Sequence, residues 1–188
     1  VERIVASREI HRGRYLTLTV ESIERADGSR GTREIVGHPG AVAILAIDPD
    51  ERILFVRQFR LAAGQALLEV PAGTLDRTTD GTTEDPDVAA GRELEEETGQ
   101  RARTWRRLGR FYTAPGFTTE LMHLYLATHL EPAHGERLGP DEDERLVLER
   151  LPWREALAAA ERGEILDAKT LVAVLWLARL KAAPPDMP

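Results

Sequence analysis

Residues 84–100 read E-D-P-D-V-A-A-G-R-E-L-E-E-E-T-G-Q, from Glu84 to Gln100. Helix brackets stand at both ends. Asp85 is an N-cap residue type, Pro86 suits a first turn, and Gly99 suits a left-handed C-cap. The spacing predicts a helix of about three turns between them. Positions i, i+3 and i+4 share a helix face, so Glu93, Glu96 and Glu97 project within an arc of roughly 100°. Clustered carboxylates repel one another, and near a helix C-terminus they also oppose the macrodipole. A Glu-rich helix is ordinarily a solvated surface, yet helix stability gives no reason for this placement. A hard divalent cation such as Mg²⁺ does, because it prefers carboxylate oxygens and sits beside substrate phosphates. Arg92, four residues before Glu96, can hold that carboxylate in one orientation.

Working outward, the chain reads as strands first and helices late. Glu2 to Ile10 and Tyr15 to Arg25 are strand-like, with a hairpin turn at Ala26-Asp27-Gly28-Ser29, and Arg33 to Val36 continues the meander. Pro39-Gly40 marks a boundary. Ala41 to Ile47 is a continuous apolar run of the kind a buried strand shows, and Arg52 to Phe59 returns after the Asp48-Pro49-Asp50 turn. Leu67 to Val70 is a short strand. After the central helix, Thr104 to Phe111, Leu121 to Leu130 and Leu146 to Leu151 are expected strands, with a polar loop over Glu131 to Asp143. Trp153 to Arg162 and Ala168 to Lys181 are expected helices, and Pro184-Pro185 ends the fold.

Composition narrows the class. The chain has 188 residues, with 42% hydrophobic and 30% charged, values ordinary for a globular protein with a proper core. Cysteine is absent, which excludes disulfides, thiolate catalysis and Cys-ligated zinc, and permits a reducing cytoplasm. Val1 opens a charged segment, and the most apolar stretch, Leu171 to Leu180, is too short to span a bilayer. The expectation is a cytoplasmic protein with no membrane partner. A net charge of −7 and no basic cluster interleaved with aromatics argue against a nucleic-acid partner. An anionic substrate must then be met by local arginines and a metal. His11, His38, His123, His129 and His134 show no ligand spacing, and Trp105, Trp153 and Trp176 read as core or interface anchors.

The segment from Glu84 resembles the Nudix box, G-x5-E-x7-R-E-U-x-E-E-x-G-U, where U is a bulky aliphatic residue. Glu84 to Arg92 has the family spacing, and R-E-L-E-E-E-T-G matches without a gap. Two departures stand out. Ten residues separate Gly73 from Glu84 where the box has five, so the loop from Leu75 to Thr83 carries an insertion, and Gln100 replaces the final aliphatic residue. Neither removes a carboxylate. Further segments are similar to the ADP-ribose pyrophosphatase branch of that superfamily. They are Gln58-Phe59-Arg60, then Leu68-Glu69-Val70-Pro71-Ala72-Gly73, the loop Tyr112 to Glu120, the acidic run Asp141-Glu142-Asp143-Glu144, and Gly163-Glu164-Ile165-Leu166-Asp167-Ala168-Lys169-Thr170.

The resemblance implies an α/β fold: a Nudix α/β/α sandwich with a mixed sheet, over residues 39–188, preceded by a small N-terminal antiparallel β-domain over residues 1–38. It implies Mg²⁺, with Mn²⁺ or another divalent cation able to substitute, held by Glu93, Glu96, Glu97, Glu144 and the Ala72 carbonyl. Glu142 is the implied general base, with Glu96 as a second catalytic carboxylate. Arg33, Arg60, Glu69, Gly116 and Glu120 are the implied substrate contacts, Arg60 as a planar fork for the diphosphate. Tyr15 or Arg14 is placed to stack on adenine. Family members often form homodimers that exchange their N-terminal domains, and the same is expected here. The implied reaction is Mg²⁺-dependent hydrolysis of ADP-ribose, or a related ADP-sugar, to AMP and a sugar phosphate. The alternatives are a Nudix pyrophosphatase for another nucleotide sugar or a nucleoside triphosphate, and a Nudix-fold sensor without catalysis. The intact box acids argue against the last.

Overall fold

A computed structural model describes residues 1–78, 81–133 and 146–182. The chain begins with β1 (Glu2–Arg12), β2 (Thr17–Arg25) and β3 (Arg30–Gly37), an antiparallel sheet in that order. The β2–β3 turn closes where expected: Gly28 sits at φ 78° and donates its N–H to the Arg25 carbonyl at 2.9 Å. Tyr15 lies outside β2, contrary to expectation. The Gly13 N–H donates to the Leu16 carbonyl at 2.8 Å, so this stretch turns before the strand starts. Val36 joins the sheet to the rest of the chain through backbone bonds to Phe117 (2.7 Å) and Thr119 (3.0 Å).

Next come β4 (Ala41–Ala46), β5 (Arg52–Arg60), β6 (Gln65–Glu69) and β7 (Ala72–Thr74), with one 3₁₀ turn at Leu61–Ala63. Helix α1 (Pro86–Thr98) leads into β8 (Gln100–Tyr112) and β9 (Leu121–Pro132). The chain then runs through β10 (Val147–Pro152), α2 (Trp153–Glu161) and α3 (Ala168–Ala182). One sheet has the order β7-β4-β9-β8, and a second has β10-β5-β6. Strands β4 and β9 are parallel, from Ala41 against Met122 to Ala46 against Ala127, while β4–β7 and β8–β9 are antiparallel. The sheet is therefore mixed.

Strand β4 is buried at every position, and its pleat sends alternate residues to two cores. Ala41, Ala43 and Leu45 pack with Ala156, Ala173, Val174 and Leu177 of α2 and α3. Val42, Ile44 and Ala46 pack with Ala89, Ala90 and Leu94 of α1. Helices thus cover both faces, which gives the α/β/α sandwich. An unbroken apolar run is what a strand buried on both faces requires.

Three expectations about element bounds are corrected. Strand β9 extends to Pro132, because Glu131 and Pro132 pair with Arg101 and Gln100; these two residues are not loop. Strand β8 begins at Gln100, immediately after the Gly99 cap. Strand β7 was not expected, since Ala-Gly-Thr carries no strand periodicity; its pairing comes from β4. The described residues on either side of the inserted loop pair with each other. The Arg77–Thr83 bridge and the Glu84 N–H to Asp76 carbonyl bond (2.8 Å) close it, so α1 starts undisturbed.

Candidate active site

Local chemistry places α1 before any tertiary contact does. The Asp85 carboxylate accepts from the Asp87 N–H at 2.8 Å, Pro86 occupies the first turn, and Gly99 closes the helix at φ 67° with its N–H on the Glu95 carbonyl. With Ala89, Ala90 and Leu94 turned into the core, Arg92, Glu93, Glu96 and Glu97 face β7 and a cavity. Glu97 accepts from the Ala72 N–H at 3.1 Å. Gly73 matters here: a Cβ on it would lie 1.9 Å from the Glu93 carboxylate carbon. The box glycine is therefore the space in which Glu93 sits.

Arg92 organises the acids around itself. It donates to Glu84 (2.9 Å), to Glu93 Oε1 (2.8 Å) and to Glu96 Oε2 (2.9 Å). The seven-residue gap between Glu84 and Arg92 thus measures one ion pair from the loop to the helix. The hydrogen bond with Glu84, and the charges of Glu93 and Glu96, raise the Arg92 pKa against the opposing effect of burial. The same bond holds the Glu84 carboxyl below its ordinary value.

A second wall faces these acids. Glu69, only 1% exposed, ends β6 and is gripped by both arms of Arg60 at 2.7 and 2.8 Å. Lys169 at the start of α3 donates to the same carboxylate, and also to Asp167 at 3.0 Å. Burial pushes the Glu69 carboxyl up, but the bonds from Arg60 and the charge of Lys169 outweigh it and leave it below the usual carboxylate range.

Both walls line one cavity of about 550 Å³. Of the residues expected at the site, Arg60, Glu69, Ala72, Glu93, Glu96, Glu97 and Glu120 line it, together with Arg14 and Tyr15. Arg14 stacks on the Tyr15 ring at 4.7 Å. Glu120 accepts from Thr113 Oγ1 and lies 3.7 Å from His38 Nε2. Arg33 and Gly116 do not line the cavity. Arg33 pairs with Glu2 across the N-terminal sheet, and Gly116 is exposed in the Ala114–Phe117 turn. Glu142 and Glu144, with the acidic run around them, lie outside the described residues, as do Pro184-Pro185. Residue-by-residue reading assigned no role to Asp167, Lys169 or His38. The first two were visible in the D-A-K-T segment, but nothing in their spacing shows that the chain returns them to Glu69 from 100 residues away.

Among the described residues, no three acidic or histidine side chains converge as a ready metal cage. Glu93 and Glu96 are turned onto Arg92 instead. The donor set still fits a hard cation: the carboxylates of Glu93, Glu96 and Glu97 line one cavity with Ala72, and Gly73 leaves the space that Glu93 fills.

Residues 37–174 match the model of the NUDIX domain, and residues 2–36 match that of the nucleoside diphosphate sugar hydrolase N-terminal domain. This chain belongs to the Nudix family. It is a Nudix hydrolase similar to the ADP-ribose pyrophosphatase of Bacillus subtilis (strain 168), at 40% identity over 97% of this chain and 95% of that protein. It is also similar to the methanol dehydrogenase activator of Bacillus methanolicus, at 40% identity over 94% of this chain and 92% of that one. Its fold is shared with a solved structure described as an ADP compounds hydrolase, at a TM-score of 0.80 and 24% identity, over 95% of this chain and 93% of that one.

Proposed function

We propose that this Nudix hydrolase splits the diphosphate of ADP-ribose, with water, into AMP and ribose 5-phosphate. The observation that carries the reading is one cavity lined both by the box carboxylates Glu93, Glu96 and Glu97 and by Arg60. A diphosphate fits between carboxylates that can hold cations and the planar Arg60 guanidinium. The 40% identity to an ADP-ribose pyrophosphatase over nearly the whole chain supports the choice of nucleotide sugar.

Glu93, Glu96, Glu97 and the Ala72 carbonyl would hold Mg²⁺ or Mn²⁺, with Glu144 as a further ligand. When bound, the cation neutralises phosphate charge and polarises the phosphoryl oxygens toward attack by water. Arg92 keeps Glu93 and Glu96 oriented. Arg60 presents its planar fork to the phosphates. Tyr15 and Arg14 offer a stacking surface for the adenine, and Glu120 a carboxylate for the sugar hydroxyls. Gly116, in the same loop as Glu120 but outside the cavity, would meet the substrate only where it extends beyond the cavity. Glu142 takes the proton of the attacking water, with Glu96 the alternative acceptor.

Residues 1–38 form a domain of their own in this reading, and residues 39–188 the catalytic one. The N-terminal sheet packs across a two-fold homodimer in exchanged fashion and brings Arg33 to the partner's cavity. The enzyme works in the cytoplasm; no helix among the described residues is long and apolar enough to cross a membrane. The test is a substrate panel of ADP-ribose, GDP-mannose and nucleoside triphosphates at saturating Mg²⁺. ADP-ribose is expected to show the highest kcat/KM. A preference for a triphosphate, with pyrophosphate as product, overturns the reading.

A further inference from the structure

Arg60 has two demands on it. Among the described residues it is the guanidinium that pairs with Glu69, and it is the fork assigned to the substrate. Glu69 is 1% exposed, and its two oxygens take both arms of Arg60. A carboxylate buried that deeply cannot lose its cation cheaply, because an unpaired buried charge is strongly destabilising. If Arg60 were its sole partner, turning the fork onto a phosphate would strand Glu69.

Lys169 changes that balance. Its ammonium lies on Glu69 Oε2, only 11% exposed, and on Asp167 Oδ1 at 3.0 Å. Asp167 is itself fixed, since its other oxygen accepts from the Thr170 N–H (2.9 Å) and hydroxyl (2.6 Å) at the start of α3. Thr170 Oγ1 in turn accepts from the Val70 N–H at 2.8 Å, next to Glu69. Lys169 borders the cavity but is anchored between two carboxylates, with 11% of its side chain exposed. Arg60 borders the same cavity with 39% of its side chain exposed. Of the two cations, Arg60 is the one able to move.

We propose that Lys169 is a positioning residue for substrate binding: it keeps the buried Glu69 carboxylate paired, so that Arg60 can turn its fork onto a substrate phosphate. The inference rests on the diphosphate-cleaving reading above and extends it to a residue that makes no phosphate contact of its own. Its role runs entirely through Glu69. Removing Glu69's charge must therefore remove the need for Lys169, which a general structural role does not require.

The experiment is steady-state kinetics, with circular dichroism for the fold, on Lys169→Met, Lys169→Arg, Glu69→Gln and the Glu69→Gln/Lys169→Met double variant. The substrate is ADP-ribose, or whichever diphosphate the wild-type enzyme cleaves best. The substrate panel on the wild type thus tests the reading, and the variants test the inference. Lys169→Met is expected to raise KM about tenfold or more with kcat within about threefold. Lys169→Arg should restore KM to within about threefold of wild type, and the second substitution should add little to Glu69→Gln. If Lys169→Met does not fold, Lys169→Gln takes its place. An unchanged KM in a folded variant overturns the inference. So does an effect of Lys169→Met that is as large in the Glu69→Gln background as in the wild type.

Discussion

At the scale of single residues, the proposed roles of Arg60 and Glu142 separate binding from chemistry. A fork that holds substrate and transition state alike contributes to KM, whereas a base contributes to kcat. Arg60→Ala is expected to raise KM for ADP-ribose with little change in kcat. Glu142→Gln is expected to lower kcat by about 10²–10⁴-fold with little change in KM. Steady-state kinetics on both variants checks the split, and a Glu142→Gln enzyme with wild-type kcat moves the base elsewhere. Single residues also mark where sequence reading stopped. Glu93, Glu96, Glu97 and Arg92 were legible because i, i+3 and i+4 are local rules. The grip of Lys169 on Glu69 spans 100 positions and depends on where α3 begins against β6, which no local rule supplies. The β-forming neighbours of Tyr15 point to a strand, and the Gly13–Leu16 turn overrides them.

At the scale of elements, the site depends on how closely β7 approaches α1. Gly73 has no room for a Cβ, since the Glu93 carboxylate occupies that place. Gly73→Ala is therefore expected to push Glu93 aside or part the two elements, costing about 1–3 kcal/mol by overpacking. Thermal denaturation should show the loss of stability, and activity should fall further than stability does. The join between β6 and α3 gives a second expectation. Glu69 has a folded pKa below its unfolded one, so its ionised form is favoured by folding. The stability this contributes is present above the unfolded glutamate value, about 4.3, and is lost as pH falls through the lower folded value. Melting temperature should drop across that acid window, and Glu69→Gln should flatten the slope. A slope unchanged by Glu69→Gln contradicts the assignment. Elements were largely legible. β4 was an unbroken apolar run and α1 was bracketed by Asp85 and Gly99. β7 was hidden because its three residues are small and its strand character is lent by β4.

At the scale of the whole molecule, strand β1 is exposed at every residue. Ile4, Val5 and Ile10 on β1 are 60%, 40% and 43% exposed. Exposed apolar side chains gain by burial, and a two-fold arrangement is the commonest closed way for copies of one chain to cover such a surface. Sedimentation at micromolar concentration is expected to show a homodimer, and a fully active monomer contradicts it.

The central claim joins metal, box and diphosphate. Its most direct test is ADP-ribose hydrolysis by the wild type and by Glu97→Gln, with and without Mg²⁺, with products separated by chromatography. Glu97→Gln keeps the size of the side chain and removes its charge. The wild type is expected to release AMP and ribose 5-phosphate only with the cation. The folded variant should lose at least about 100-fold in kcat, equivalent to about 2.7 kcal/mol. Full Mg²⁺-dependent release of AMP by a folded Glu97→Gln enzyme, or no AMP from the wild type under any divalent cation, would contradict it.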